Sequence, residues 1–242
     1  MNWKKAGVLA VLAAFAVPCA LAQAGNASAP TAEVAAAPTA LCCGVVSYNG
    51  KYLDAVIDSM HVDSLWQPRV HIDWLTGQQD QPSSSTGPDR ATHCSSFTAA
   101  LGLRLNVYML RPPQHPQQLL ASAQARWFHT SEGRKDGWEP LGSAAEAQTH
   151  ANQGDLVVVV YESPDEHRPG HIAIVRPYEK TSEELEKDGV ETAQAGALNF
   201  SNGVARNSFA KHEGAWPNGV KYYTHVVDWD ALRTKWAEEK KK

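Results

Sequence analysis

The chain has 242 residues, of which 43% are apolar and 20% are charged, a composition typical of globular proteins rather than disordered ones. Its formal net charge of −4 argues against the basic surface of a nucleic-acid-binding protein. The four cysteines are too few for a disulfide scaffold of this length. No apolar run reaches the roughly 20 residues of a membrane-spanning helix, so no integral membrane span is expected.

The first 22 residues have the layout of a secretory signal peptide. Lys4 and Lys5 precede an unbroken apolar run over 6–17, Pro18 ends that run, and small residues at 20 and 22 suit a signal peptidase. We therefore expect export to the periplasm or the exterior, with cleavage after Ala22. Cleavage would remove two of the 22 Lys and Arg residues and none of the 26 acidic ones, leaving a net charge of −6. That charge disfavours tight binding to anionic polymers and membranes.

Residues 23–40 consist mainly of Ala, Pro and Thr, with almost nothing to bury. This composition predicts a flexible linker rather than a packed element. The folded domain is therefore predicted over 41–242.

The first half of that domain predicts helices. Apolar residues at 53, 56, 57 and 60 follow the i, i+3, i+4, i+7 spacing of an amphipathic helix. A polar loop over 78–89 and a proline-rich connector over 111–118 separate the elements. Further helices are predicted over 94–103, 117–128 and 143–152, the last one stopped by Gly154.

The second half predicts a sheet. The β-branched run over 155–161 is typical of a buried central strand, and 171–176 alternates as the returning strand. Further strands are predicted over 190–195 and 220–227, with a charged segment over 179–188 between strands and a closing helix over 229–242. Helices followed by a mostly antiparallel sheet make an α+β fold.

Cys94 opens a predicted helix, and a thiol in the first helical turn feels the positive end of the helix dipole. That position predicts a lowered thiol pKa and a nucleophilic thiolate. The alternative is a plain buried cysteine, since free cysteine is among the most buried residue types.

The position of His171 favours the interpretation of Cys94 as a nucleophile. His171 starts a predicted strand directly after a Pro-Gly turn, where it can reach a thiol at a helix N-terminus. Such a base needs a third group that orients its ring. Gln194 on the next predicted strand, or Asn199 just beyond it, could accept a hydrogen bond from the ring. His93 adjoins Cys94 and does not face it on a helix, so we interpret it as packing or substrate contact.

Three segments in this order resemble the NlpC/P60 superfamily of papain-like cysteine peptidases and amidases, including its CHAP-type branch. Cys94-Ser95-Ser96-Phe97 resembles the nucleophile at a helix start, and Gly154-Asp155-Leu156-Val157 the Gly-Asp pair of the central strand. Gly170-His171-Ile172-Ala173-Ile174-Val175 resembles the strand with the general base. The similarity covers roughly residues 90 to 200. In the family's order the third group falls on Gln194, where His, Asn or an acidic residue is more usual.

The resemblance implies a papain-like fold, with N-terminal helices packed on the sheet. It also implies an exported thiol hydrolase that cleaves an amide in the stem peptide of bacterial peptidoglycan, without metal or organic cofactor. Cys94 would attack, His171 would shuttle the proton and Gln194 would orient His171. The backbone N–H of Cys94 would be one oxyanion donor.

Two alternatives to the hydrolase stay open. The same triad could transfer the acyl group to an amine, as transglutaminase-like enzymes do. Alternatively, the papain-like domain could be a catalytically inactive binding module. The sequence does not reveal whether an inhibitor or immunity protein restrains the enzyme.

Removal of the signal peptide would leave three cysteines, at 42, 43 and 94. In an oxidising compartment two can pair, and a bond to Cys94 would silence it. Our hypothesis is that Cys94 is the free thiol. A zinc site from these cysteines and histidines is conceivable, although the spacing matches no established ligand pattern.

Overall fold

The structure is a computed structural model that describes residues 40–82 and 92–241. This part of the chain is an α+β fold, with an open six-stranded antiparallel sheet and eight helices. The α+β class is therefore confirmed. The predicted signal peptide over 1–22 lies outside the described residues, as does the predicted linker over 23–40 apart from its last residue.

Eight helices and six strands follow one another along the described chain. The helices are α1 (Tyr48–Asp58), α2 (Cys94–Arg104), α3 (Leu120–Trp127), α4 (Ser131–Lys135), α5 (Ala144–Gln153), α6 (Ser182–Asp188), α7 (Ala205–Phe209) and α8 (Trp229–Glu239). The strands are β1 (Glu139–Leu141), β2 (Leu156–Tyr161), β3 (His171–Val175), β4 (Glu191–Gln194), β5 (Phe200–Val204) and β6 (Lys221–His225).

The strands lie in the order β1-β6-β2-β3-β4-β5, and every neighbouring pair is antiparallel. Strand β3 pairs with β2 along its whole length, from Val175 opposite Val157 to His171 opposite Tyr161. Every residue of both strands is buried. The two strands predicted from the β-branched run and its return thus form the centre of the sheet.

Successive side chains on these strands enter two separate hydrophobic clusters, because side chains alternate between the faces of a sheet. Ile172 and Ile174 belong to the first cluster, together with residues of α1, α2 and α3. Ala173 and Val175 belong to the second, with residues of α5 and α7. Helices α1, α2 and α3, with the closing helix α8, therefore cover one face, and α5 and α7 cover the other.

Several elements were not expected from the sequence. The segment over 179–188, expected only as a charged stretch, contains α6, which begins with a capping box between Thr181 and Glu184. No element was assigned between 196 and 219, yet β5 and α7 form there. The short α4 and β1 were also not expected.

No helix within the described residues is both long enough and apolar enough to cross a membrane.

Candidate active site

Cys94 is the first residue of α2, a helix that is buried along most of its length. Residues 94–102 are all buried, with Phe97 and Leu101 in the first cluster. Preceding His93 has a non-helical φ of −116° and makes no side-chain capping bond. The packing of the whole helix against the sheet fixes Cys94 next to the start of β3.

Burial controls the chemistry of the Cys94 thiol. The residue is 4% exposed, and this desolvation raises the thiol pKa above its ordinary value, because burial disfavours the thiolate. Hydrogen bonds from the backbone N–H groups of Ile172 and Ser95, and from the Thr92 side chain, act in the opposite direction. The lowered pKa expected for this thiol is therefore wrong, because burial outweighs the hydrogen bonds that favour the thiolate.

His171 begins β3 and is also buried, with 2% of its surface exposed. Desolvation lowers the pKa of its imidazole to about 4, although a hydrogen bond to Gln194 works against this shift. The ring is neutral at pH 7 and can accept a proton.

Gln194, the last residue of β4, is the hydrogen-bond partner of His171. Its Oε1 lies 2.7 Å from His171 Nε2, while its Nε2 donates to the carbonyl of Leu198 at 2.9 Å. Because the amide nitrogen is used elsewhere, Oε1 is the acceptor and His171 Nε2 carries the hydrogen. This tautomer leaves Nδ1 of His171 as the basic nitrogen.

Gly196 allows this pair to pack closely. A Cβ atom at that position would lie 3.1 Å from Gln194 Nε2 and 3.4 Å from His171 Cε1. The absence of a side chain at Gly196 thus leaves room for the amide of Gln194 beside the His171 ring.

Asn199 lies away from the imidazole. Its Nδ2 contacts the carbonyls of Val62, Leu65 and Trp66 at 2.8–3.1 Å, and its Oδ1 accepts from the N–H of Gly196. The structure thus brings Gln194 rather than Asn199 to His171, and Asn199 ties the 62–66 loop to the sheet.

His93 faces the same loop region. Its Nε2 lies 3.0 Å from the carbonyl of Val70, and the residue is 5% exposed. These contacts agree with a packing role beside Cys94.

The thiol and the imidazole meet the start of β3 from different sides. Cys94 packs in the first cluster and reaches the main-chain N–H of Ile172, whereas the His171 ring contacts Phe209 of the second-face helix α7. Strand β4 pairs with β3 only from Ile174 onward, so the sulfur lies at the part of β3 that has no β4 neighbour. Among the described residues, the partners of the thiol do not include the His171 side chain.

His212 and Phe209 also contact His171, and no sequence pattern points to either of them. The His212 ring stacks on His171 with centroids 4.8 Å apart and planes 15° apart, while Phe209 meets it edge-on at 5.0 Å. Both residues come from the region without predicted elements, so only the tertiary structure identifies them.

Two clefts lie beside this arrangement and share the segment Glu162-Ser163-Pro164. The first, of about 700 Å³, is lined by charged residues that include Arg126 and Lys221. The second, of about 770 Å³, is lined in part by Arg168 and His212. Both clefts are lined by side chains of both charge signs.

Cys42 and Cys43 form a disulfide with each other, and Cys94 is the free cysteine of the described residues. The pairing leaves no thiolate at 42 or 43 for the zinc site considered above. Within 40–82 and 92–241, no group of three or more His, Cys, Asp and Glu residues is arranged to hold a metal ion.

No protein-family model matches this sequence, and no curated protein is significantly similar to it.

Proposed function

We propose that this chain is an exported cysteine hydrolase with a papain-like fold of the NlpC/P60 type, which cleaves an amide bond in the stem peptide of bacterial peptidoglycan. One observation carries the proposal. A free thiol at the start of a buried helix adjoins the strand whose first residue, His171, is hydrogen-bonded to Gln194. Nucleophile, base and orienting amide are the three groups that covalent acyl-transfer catalysis requires.

The protonation states define the first step. Both groups are neutral at pH 7, because burial raises the thiol pKa of Cys94 and lowers the imidazole pKa of His171 to about 4. The thiol proton therefore passes to Nδ1 of His171 as the sulfur attacks the carbonyl carbon, rather than before. Catalytic hydrogen bonds often tighten only when substrate binds, and the approach of Nδ1 to the sulfur belongs to that step.

The remaining steps follow from proton balance. The tetrahedral intermediate collapses to a thioester as the His171 imidazolium returns its proton to the leaving amine. Water then attacks the thioester and gives a proton to His171. As the second tetrahedral intermediate collapses, the imidazolium returns that proton to the leaving sulfur of Cys94, and the released carboxylic acid loses its own proton to solvent. The backbone N–H of Cys94 is the proposed oxyanion donor, and Gln194 Oε1 stabilises the imidazolium through its bond to Nε2.

The sequence and the clefts support the location and the substrate. The basic and apolar pattern over 1–22 supports export from the cytoplasm. Export would bring the protein to the compartment that contains peptidoglycan. The charged walls of the two clefts suit a peptide that carries both carboxylates and amines.

Incubation with purified sacculi, followed by mass spectrometry of the released fragments, tests this proposal. Wild-type protein should release fragments whose masses show a cleaved stem-peptide amide, and Cys94→Ala should release none. Addition of a primary amine separates hydrolysis from acyl transfer, because transfer would yield the amine adduct in place of the free carboxylate. Equal release by wild type and Cys94→Ala, or none by a folded wild type, would refute the proposed function.

A further inference from the structure

His212 covers the imidazole of the proposed base. Its ring lies nearly parallel to that of His171, at a centroid distance of 4.8 Å. His212 lines the larger cleft, whereas His171 is 2% exposed and does not contribute to the cleft wall. A molecule in that cleft therefore meets His212 before it can meet His171.

The segment that carries His212 is held in place by main-chain hydrogen bonds. The N–H of His212 donates to the carbonyl of Phe209, and the carbonyl of His212 accepts from Ala215, both at 3.0 Å. The Tyr161 hydroxyl of β2 donates to the carbonyl of Glu213 at 2.7 Å. Because the turn is hydrogen-bonded both to α7 and to the central sheet, the His212 ring is held in a defined position over His171.

We propose that His212 is a positioning residue: its ring holds the His171 imidazole between itself and Phe209, with Nε2 directed at Gln194, and separates that imidazole from the water of the cleft. The positioning role in catalysis rests on the proposed function. The cover itself rests on the ring geometry alone.

The stack also sets a condition on charge. Burial, together with the neighbouring His171 and Arg168, lowers the pKa of His212 to about 4, so both rings are neutral at pH 7. A neutral His212 presents its π face to the imidazolium that His171 becomes during catalysis, whereas a protonated His212 would repel it. The other charged groups that line this cleft with His212 are Glu162, Asp165, Lys211 and Glu213.

Titration of the His171 ring tests the cover without any need for activity. The His171 resonances of isotope-labelled protein are followed by NMR from pH 3.5 to 8 in wild type, His212→Ala and His212→Phe. Loss of the cover in His212→Ala should admit water and raise the His171 pKa from about 4 toward its ordinary 6.5, by about one unit or more. His212→Phe retains an aromatic cover and should keep the pKa low.

An unchanged His171 pKa in folded His212→Ala would overturn the proposal, as would an equal rise in His212→Phe. If His212→Ala does not fold, His212→Gln replaces it, since Gln keeps polarity and bulk but not the flat ring. The same criterion then applies to that variant.

Kinetics on the peptidoglycan substrate test the positioning role. His212→Ala should lower kcat by about tenfold or more with a smaller change in KM, and should move the acid limb of the pH profile upward; His212→Phe should restore both. If His212→Ala raises the His171 pKa but the wild-type protein has no hydrolase activity, the proposed function is refuted and the covering role of His212 is still supported. Activity with normal kcat and an unmoved acid limb in His212→Ala would refute the positioning role alone.

Discussion

The two central side chains of the candidate site are both shifted toward their neutral forms, and burial is the cause in each case. The thiol pKa of Cys94 is raised, and the imidazole pKa of His171 is lowered to about 4. A preformed thiolate–imidazolium pair is therefore not the resting state. The sequence identified both residues by position but predicted the opposite direction for the thiol, since a helix start is visible in a sequence and the degree of burial is not.

The depressed pKa of His171 predicts a pH dependence of stability. The unfolded ring titrates near 6.5 and the folded ring near 4, so the unfolded state binds the proton more readily between those values. The contribution of His171 is fully present above pH 6.5, is lost as the pH falls to about 4, and amounts to roughly 3 kcal/mol. Urea unfolding at pH 7 and at pH 4.5 measures this change.

His171→Gln is the matched variant for that experiment, because it removes the titrating ring and keeps a polar side chain. Its unfolding free energy should fall less than that of wild type between pH 7 and 4.5. Parallel losses in the two proteins would show that His171 is not buried in its neutral form.

At the scale of elements, the turn that enters β3 has no space for a larger residue. A Cβ at Gly170 would lie within 2.3 Å of the Tyr161 carbonyl and 2.9 Å from Ser122 Oγ, and the N–H of Gly170 donates to that same Ser122 oxygen. Helix α3 and strand β2 thus clamp the residue immediately before His171. This close approach explains why glycine precedes the proposed base.

Gly170→Ala should consequently destabilise the fold by about 1–3 kcal/mol, the usual cost of an overpacked site, and should displace His171. Thermal or denaturant unfolding gives the first effect, and the His171 NMR resonances give the second. Gly142→Ala is the control, because a Cβ there would first meet Glu146 Oε2 at an ordinary 3.4 Å. Equal stability of the two variants would contradict the clamp.

Elements with a strong local sequence pattern could be predicted, and elements with a weak pattern could not. The β-branched run became β2, and the helix predicted to stop at Gly154 became α5, whose C-cap Gly154 has a φ of 99°. Strand β5 and helix α7 were missed because each has only five residues and neither is strongly apolar. Their place is fixed by packing at the edge and on the second face of the sheet, which the sequence alone does not convey.

At the scale of the molecule, the candidate site lies at the start of the central strand β3, with Cys94 on one face of the sheet and the His171 ring against a helix on the other. Helix α2 delivers Cys94 from one face, and α7 with its following turn covers His171 on the other. The α+β order of elements could be predicted, since it follows from the change in hydrophobic period along the chain. Which helix covers which face, and hence the role of His212, required the tertiary structure.

Alkylation by a chloroacetylated stem peptide tests most directly whether His171 activates the thiol of Cys94, because this reagent fills the substrate position in which the two groups approach one another. The label is quantified at pH 7 on the tryptic peptide 91–104 in wild type, His171→Ala and the control His115→Ala, whose histidine lies in the proline-rich connector. Loss of the general base should slow labelling of Cys94 by about a hundredfold in His171→Ala, with His115→Ala labelled at the wild-type rate. Equal rates in wild type and His171→Ala, or no label on Cys94 in folded wild-type protein, would contradict this activation.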